Sequence, residues 1–168
     1  MIWILGLLLQ VPLPNATVTF APGGMVQTNA QGRYEMVLQG PVWSGSITAA
    51  FPGCVMLPTV IVETGIVKDS EAVAFSCQDV QSPTVQITAP RNNGTISRTA
   101  LLRADVADNI AVVRVVWSLD GTPIGTVTAA PWSLPYQFGR LTAWHMLSAQ
   151  AFDAAGNQAT SSVRFRVK

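Results

Sequence analysis

The chain has 168 residues, 49% of them hydrophobic and 11% charged, with a formal net charge of +1. That length holds one mid-sized domain or two small ones, and the scarcity of charge excludes intrinsic disorder. One His and two Cys exclude Cys/His-rich metal folds and disulfide-dense scaffolds, and a near-neutral balance provides no field to draw in nucleic acid or an anionic membrane.

The chain opens on an apolar run, Met1–Leu9 (MIWILGLLL), and two readings of it compete. A secretory signal has an apolar core of this length, but also a basic start and a small-residue cleavage site. Here the first Lys or Arg is Arg33, and Pro14-Asn15-Ala16 is a poor site. A buried strand needs a short apolar run with β-branched and aromatic residues, closed by a turn such as the one Pro12 and Pro14 supply. A membrane span needs about 20 apolar residues, more than the run offers.

Turn residues then recur about every 8–12 residues, the spacing of all-β sandwiches and barrels. Strands are expected at Met1–Leu9, Thr17–Phe20, Met25–Thr28, Arg33–Val37, Gly45–Ala50, Thr59–Glu63 and Ala72–Cys77. A second set follows at Thr84–Thr88, Ala100–Val106, Val112–Leu119, Pro123–Val127, Ser133–Phe138, Trp144–Asp153 and Ser162–Val167. No window sustains a capped helical period; Asp153-Ala-Ala-Gly-Asn157 reads as a hairpin loop. The polar stretch ending at Pro83 is expected to be a linker, residues 79–83, between a domain at 1–78 and another at 84–168. Charge divides unevenly, −3 over residues 1–80 and +4 over residues 81–168. Such a division would favour head-to-tail contacts between copies, although small differences of this kind also arise by chance.

Alternation places Val115, Trp117 and Leu119 on one buried face and Leu147, Ala149 and Ala151 on another. The same parity turns Val116, Trp144, Met146 and Phe152 outward, as candidate residues of an apolar interface with a partner or another copy. Cys54 and Cys77 are candidates for a disulfide, brought together by a hairpin centred near Gly65-Ile66; two buried free thiols are the alternative.

Ser82-Pro83-Thr84-Val85-Gln86-Ile87, Ala107-Asp108-Asn109, Val112–Trp117 leading to Asp120-Gly121-Thr122, Ala130-Pro131-Trp132, His145–Ala149 and Asp153–Asn157 occur in that order. Together they resemble the bacterial immunoglobulin-like domains of surface and phage proteins. Pro12–Val18, Thr28-Asn29-Ala30-Gln31-Gly32-Arg33-Tyr34 and Trp43–Thr48 are similar to the transthyretin-like sandwich of carboxypeptidase-regulatory and collagen-adhesin B-type repeats, with Asn29 where Asp is usual. That resemblance implies that Ile2–Leu9, with its central Gly6, is the first strand. The expected fold is therefore all-β, two tandem Ig-like/transthyretin-like β-sandwiches. The Ig-like topology also implies that the loops carrying Asp108-Asn109 and Asp153…Asn157 share one end, where the linker with Asp79 enters. Asp79, Asp108, Asn109, Asp153 and Asn157 are thus candidate Ca²⁺ ligands. The plainer reading is that each caps its own turn. Collagen-adhesin repeats often carry a Lys–Asn cross-link; with no Lys in the first strand and only Lys68 in that domain, none is expected.

Catalysis finds little support. A nucleophilic triad needs a base, and the only His, His145, has the inward parity of a packing residue. No nucleophile elbow, phosphate loop or dinucleotide fingerprint is present. The Arg residues are dispersed, so no nucleic-acid partner is expected. Three functions remain. The first is a non-enzymatic accessory protein of a phage virion, at the virion surface and held by other virion proteins or its own copies. The second is a secreted bacterial surface or filament subunit. The third is a carbohydrate-binding accessory module of cell-surface glycans, with Trp43, Trp132 or Trp144 as stacking platforms.

Overall fold

The structure, a computed structural model, describes residues 2–9, 12–67, 70–71, 74–139 and 143–168. Strands and turns make up the described residues, with no helix among them. They fall into two compact units, Met1–Val80 and Gln81–Lys168.

Unit 1 contains β1 (Ile2–Leu9), β2 (Thr17–Ala21), β3 (Gly24–Gln27), β4 (Arg33–Leu38), β5 (Trp43–Ala50), β6 (Cys54–Leu57), β7 (Ile61–Ile66), β8 (Ser70–Glu71) and β9 (Phe75–Asp79). One sheet has the order β4-β1-β9-β6, with β8 also paired to β1; the other has the order β3-β2-β5-β7. The opening run is therefore a strand inside a sheet, antiparallel to β4 and parallel to β8 and β9. Period-two burial organises the second sheet: Val18 and Phe20 are fully buried while Thr17 and Thr19 are only partly so. Phe20 meets Tyr34 and Trp43 edge-on, with ring centroids 6.1 and 6.0 Å apart, and Leu38, Ile47, Ile61 and Phe75 complete the core. Thr28, 3% exposed, ties the entry to β2: its hydroxyl accepts from Ala16 N–H at 2.9 Å and donates to the Leu13 carbonyl. Asn29 holds the next turn, its Oδ1 accepting from the N–H groups of Gln31 and Arg33.

The expected hairpin centred on Gly65-Ile66 does not form. β7 pairs with β5, whereas β6 and β9 pair with each other in the opposite sheet. Cys54 and Cys77 meet through that direct pairing and form a disulfide, with Cα atoms 5.3 Å apart. The hairpin inference failed because it assumed that consecutive strands pair, and here they alternate between sheets. Lys68, weighed for a cross-link, lies outside the described residues, as do Met1 and positions 72 and 73 of the expected strand Ala72–Cys77.

Unit 2 contains β10 (Thr84–Ala89), β11 (Gly94–Ile96), β12 (Thr99–Ala107), β13 (Val112–Leu119), β14 (Thr122–Val127), β15 (Ser133–Gln137), β16 (His145–Asp153) and β17 (Gln158–Val167). A three-stranded sheet, β10-β12-β15, faces a five-stranded sheet, β11-β17-β16-β13-β14. Val115 and Trp117 of β13, Leu147, Ala149 and Ala151 of β16, and Val163 and Phe165 of β17 point inward onto Ile87, Leu102, Ala104 and Phe138. Burying each of the large side chains contributes about 1.5–3 kcal/mol, which makes this alternation the main determinant of register. Asp120 (φ 50°) and Gly121 (φ 82°) make the tight turn between β13 and β14, which needs two consecutive left-handed residues.

Candidate functional site

The outer face of the five-stranded sheet carries the side chains that alternation leaves uncovered. Arg114, Val116 and Ser118 stand on β13, Met146, Ser148, Gln150 and Phe152 on β16, and Gln158, Thr160, Ser162, Arg164 and Arg166 on β17. Register sets them side by side. Arg114 lies opposite Phe152, Val116 opposite Gln150, Ser118 opposite Ser148, and Met146 opposite Arg164. Trp144 immediately precedes β16, 44% exposed, beside Met146 at 46%.

All four expected interface residues thus lie along one face, but the face is not an apolar patch. The Arg114 guanidinium covers the Phe152 ring, 4.0 Å from its centroid. Arg164 and Arg166 stand over Trp144, 4.7 and 5.3 Å from its ring centroid. A belt of hydroxyl and amide side chains separates the two aromatic ends, and within it Gln150 donates to Gln158 at 3.0 Å. Sequence reading found the aromatic residues by parity and missed Arg164 and Arg166, because Arg residues spread along a chain look dispersed. The signal was present in Val163-Arg164-Phe165-Arg166, where burial of Val163 and Phe165 forces both Arg side chains out.

Both guanidiniums are held by neutral partners. Arg164 donates from Nε and Nη2 to Asn93 Oδ1 at 3.1 and 3.0 Å, and Arg166 donates from Nε to Thr95 Oγ1 at 3.1 Å. The Asp120 carboxylate and the His145 imidazole stand against each other. There, His145 Nδ1 lies 2.5 Å from Asp120 Oδ2, and Asp120 Oδ1 accepts from Met146 N–H at 2.8 Å. The backbone hydrogen bond, and then the imidazole, hold the Asp120 carboxyl below the usual carboxylate range. The His145 ring packs 6.4 Å from Phe165.

Of the residues weighed for Ca²⁺ in unit 2, Asp108 and the Asp153–Asn157 pair hold their own turns. Asp108 Oδ2 accepts from the N–H groups of Ile110 and Ala111, both at 3.0 Å. Asp153, 3% exposed, accepts from Asn157 N–H and from Asn157 Nδ2, both at 2.7 Å. One carboxylate oxygen of each lies within 4.8 Å of the other, and Asn109 follows Asp108 in the same turn. Asp79 ends β9 of unit 1. Of the three Trp residues weighed as stacking platforms, Trp43 is 5% exposed and donates from Nε1 to the Pro22 carbonyl at 2.7 Å. Trp132 packs against the core of unit 2. Trp43 is buried and Trp132 partly buried, so Trp144 is the most exposed of the three.

Fold and face together define a class: an all-β chain whose second unit is an immunoglobulin-like sandwich. The bacterial Ig domain family profile matches residues 83–149. No curated protein matches the chain in sequence. Among solved structures, the fibronectin(III)-like modules of Clostridium thermocellum CbhA align at 23% identity and a TM-score of 0.42, over 51% of this chain and 100% of theirs. A DUF3823 family protein from Bacteroides ovatus aligns at 8% identity and a TM-score of 0.38, over 98% of each chain. The N-terminal four Ig domains of Dscam1 isoform 4.44 align at 14% identity and a TM-score of 0.42, over 100% of this chain and 43% of that one. No helix among the described residues is long and apolar enough to cross a membrane.

Proposed function

We propose that the chain is a non-enzymatic structural or adhesive module of a surface outside the cytoplasm, acting through its exposed sheet faces. Its leading assignment is an accessory protein of a phage virion, docked to other virion proteins or to copies of itself; the alternative is a subunit of a bacterial surface or extracellular filament. The observation that carries this reading is the Cys54–Cys77 disulfide, which clips β6 to β9. Structural disulfides persist on virion and cell surfaces and are rare in the reducing cytosol. The bacterial Ig match over residues 83–149 supports it. Unit 1 is read as a transthyretin-like sandwich; the Thr28 and Asn29 turn that fixes the start of β2 and β4 supports that assignment.

Fractionation tests the proposal. Thiols would be blocked before reduction, and the chain sought by mass spectrometry in purified virions, washed cell envelopes, culture supernatant and cytosol. The expected result is recovery in the virion or an extracytoplasmic fraction, with both cysteines protected from blocking. Recovery confined to the cytosol, with both thiols free, would overturn it.

A further inference from the structure

We infer that the Trp144 end of the unit 2 face is a binding site for an anionic polysaccharide, one whose sugars carry carboxylate or sulfate groups. The inference rests on the surface-module reading and names what that surface holds.

Three observations converge. First, Arg164 and Arg166 are fixed before any ligand arrives, by Asn93, by Thr95 and by stacking on Trp144. A guanidinium carries five N–H donors, so these contacts leave most of the donors on both side chains for an oxyanion. Neither guanidinium forms an ion pair with an acidic side chain among the described residues, and the Asp120 carboxylate beside Met146 is held instead by His145 and the Met146 N–H. Second, Trp144 and Met146 keep 44% and 46% of their surface exposed beside those charges, an apolar shelf of the kind a sugar ring packs on. Third, beyond this cluster the face continues as uncharged side chains, the hydrogen-bonding Ser162, Ser148, Ser118, Gln150 and Thr160 with Val116 among them, before the next cation, Arg114 on Phe152. From Met146 to Phe152 the strand runs about 20 Å. A nucleic acid places a phosphate at every step and needs a continuous basic track. Sparse cations separated by hydroxyl and amide groups instead complement a chain of hydroxylated rings with intermittent negative charge.

The test uses the full chain at about 0.15 M salt, where nonspecific charge attraction is screened. Probes are polygalacturonate for carboxylate, heparin for sulfate, hydroxyethylcellulose as a neutral glycan, and single-stranded DNA. Binding is read by affinity electrophoresis and calorimetry, with melting curves to show that every variant is folded. The inference expects binding to polygalacturonate, heparin or both, and neither neutral glycan nor DNA bound as well; which of the two binds distinguishes a carboxylate from a sulfate ligand. The Arg164→Gln/Arg166→Gln double variant should weaken that binding about tenfold or more, and Trp144→Ala should weaken it without changing net charge. Arg103→Gln, on an exposed position of β12 in the opposite sheet, should leave it unchanged. Equal losses from Arg103→Gln and the double variant, DNA binding as tight as glycan binding, or no binding to either anionic glycan would overturn the inference. A chain recovered on a virion or cell surface that binds neither anionic glycan would retain the module reading and lose only this site.

Discussion

Single side chains at two buried positions do separable work. Asp153 accepts two hydrogen bonds from Asn157 in a site with 3% exposure. Asp153→Ala strands both donors and should cost about 1–3 kcal/mol in a urea melt with an unchanged m value. Asp153→Asn keeps an acceptor and removes a negative charge close to Asp108, and it should cost less. An unchanged midpoint for Asp153→Ala would contradict this account. Tyr34 is the opposite case. It is 2% exposed, and its hydroxyl has no hydrogen-bond partner among the described residues. Burial pushes its pKa from 10.0 up to about 12. Because the folded value lies above the unfolded one, the unfolded chain loses its proton first as pH rises. Stability tied to Tyr34 is therefore complete below pH 10 and declines toward pH 12, by about 3 kcal/mol in all. Tyr34→Phe keeps the edge-on ring contact with Phe20, should equal or exceed the native protein in stability at pH 7, and should not show that alkaline decline. Melting both proteins at pH 7 and at pH 11 decides the matter.

At the scale of the strand, much was legible. Leu147, Ala149, Ala151, Val115 and Trp117 follow period two so strictly that their burial could be read from the sequence, as could the Asp120-Gly121 turn. Pairing was not legible where the chain crosses between sheets. Nothing local tells β7 to join β5 rather than β9, since that choice depends on which faces can be buried once both sheets exist. The candidate site shows the same division. Parity exposes Trp144 and Met146, but their neighbours Arg164 and Arg166 arrive only through the β16–β17 register. β7 also offers a prediction. It is an edge strand whose Val62 is 69% exposed. Unprotected apolar edges invite pairing with other chains, and a Lys there discourages it. Val62→Lys should shift stability by less than about 0.5 kcal/mol and raise the concentration at which sedimentation first detects association. A large drop in melting temperature would show that Val62 packs in a way its exposure does not reveal.

For the whole molecule, the disulfide makes the two units unequal. The cross-link lies wholly in unit 1 and spans 23 residues, a loop whose closure stabilises by about 3–4 kcal/mol in the chain-entropy model. Reduction should raise amide exchange across β2, β5 and β9 and leave Trp117 and Phe165 in unit 2 as protected as before. Equal loosening of both units would show that their stabilities are linked. All-β character could be read from the spacing of turns alone. The Cys54–Cys77 pair could be named from the sequence too, but not the direct β6–β9 pairing that brings it together, because that depends on how the strands divide between sheets.

The parallel pairings have a mechanical consequence. β1 runs parallel to β9 at Leu8–Phe75 and Leu9–Ser76, and β11 runs parallel to β17 over three residues. Tension that draws an early strand backward and a late strand forward slides parallel neighbours past one another, so their hydrogen bonds are loaded together instead of opening in turn as a hairpin does. Each unit therefore has a shear clamp close to where the chain enters and leaves it. If the clamp in unit 1 yields, the Cys54–Cys77 bond withholds the 23 residue steps it spans, about 80 Å of extension that a stretched chain could release only after reduction.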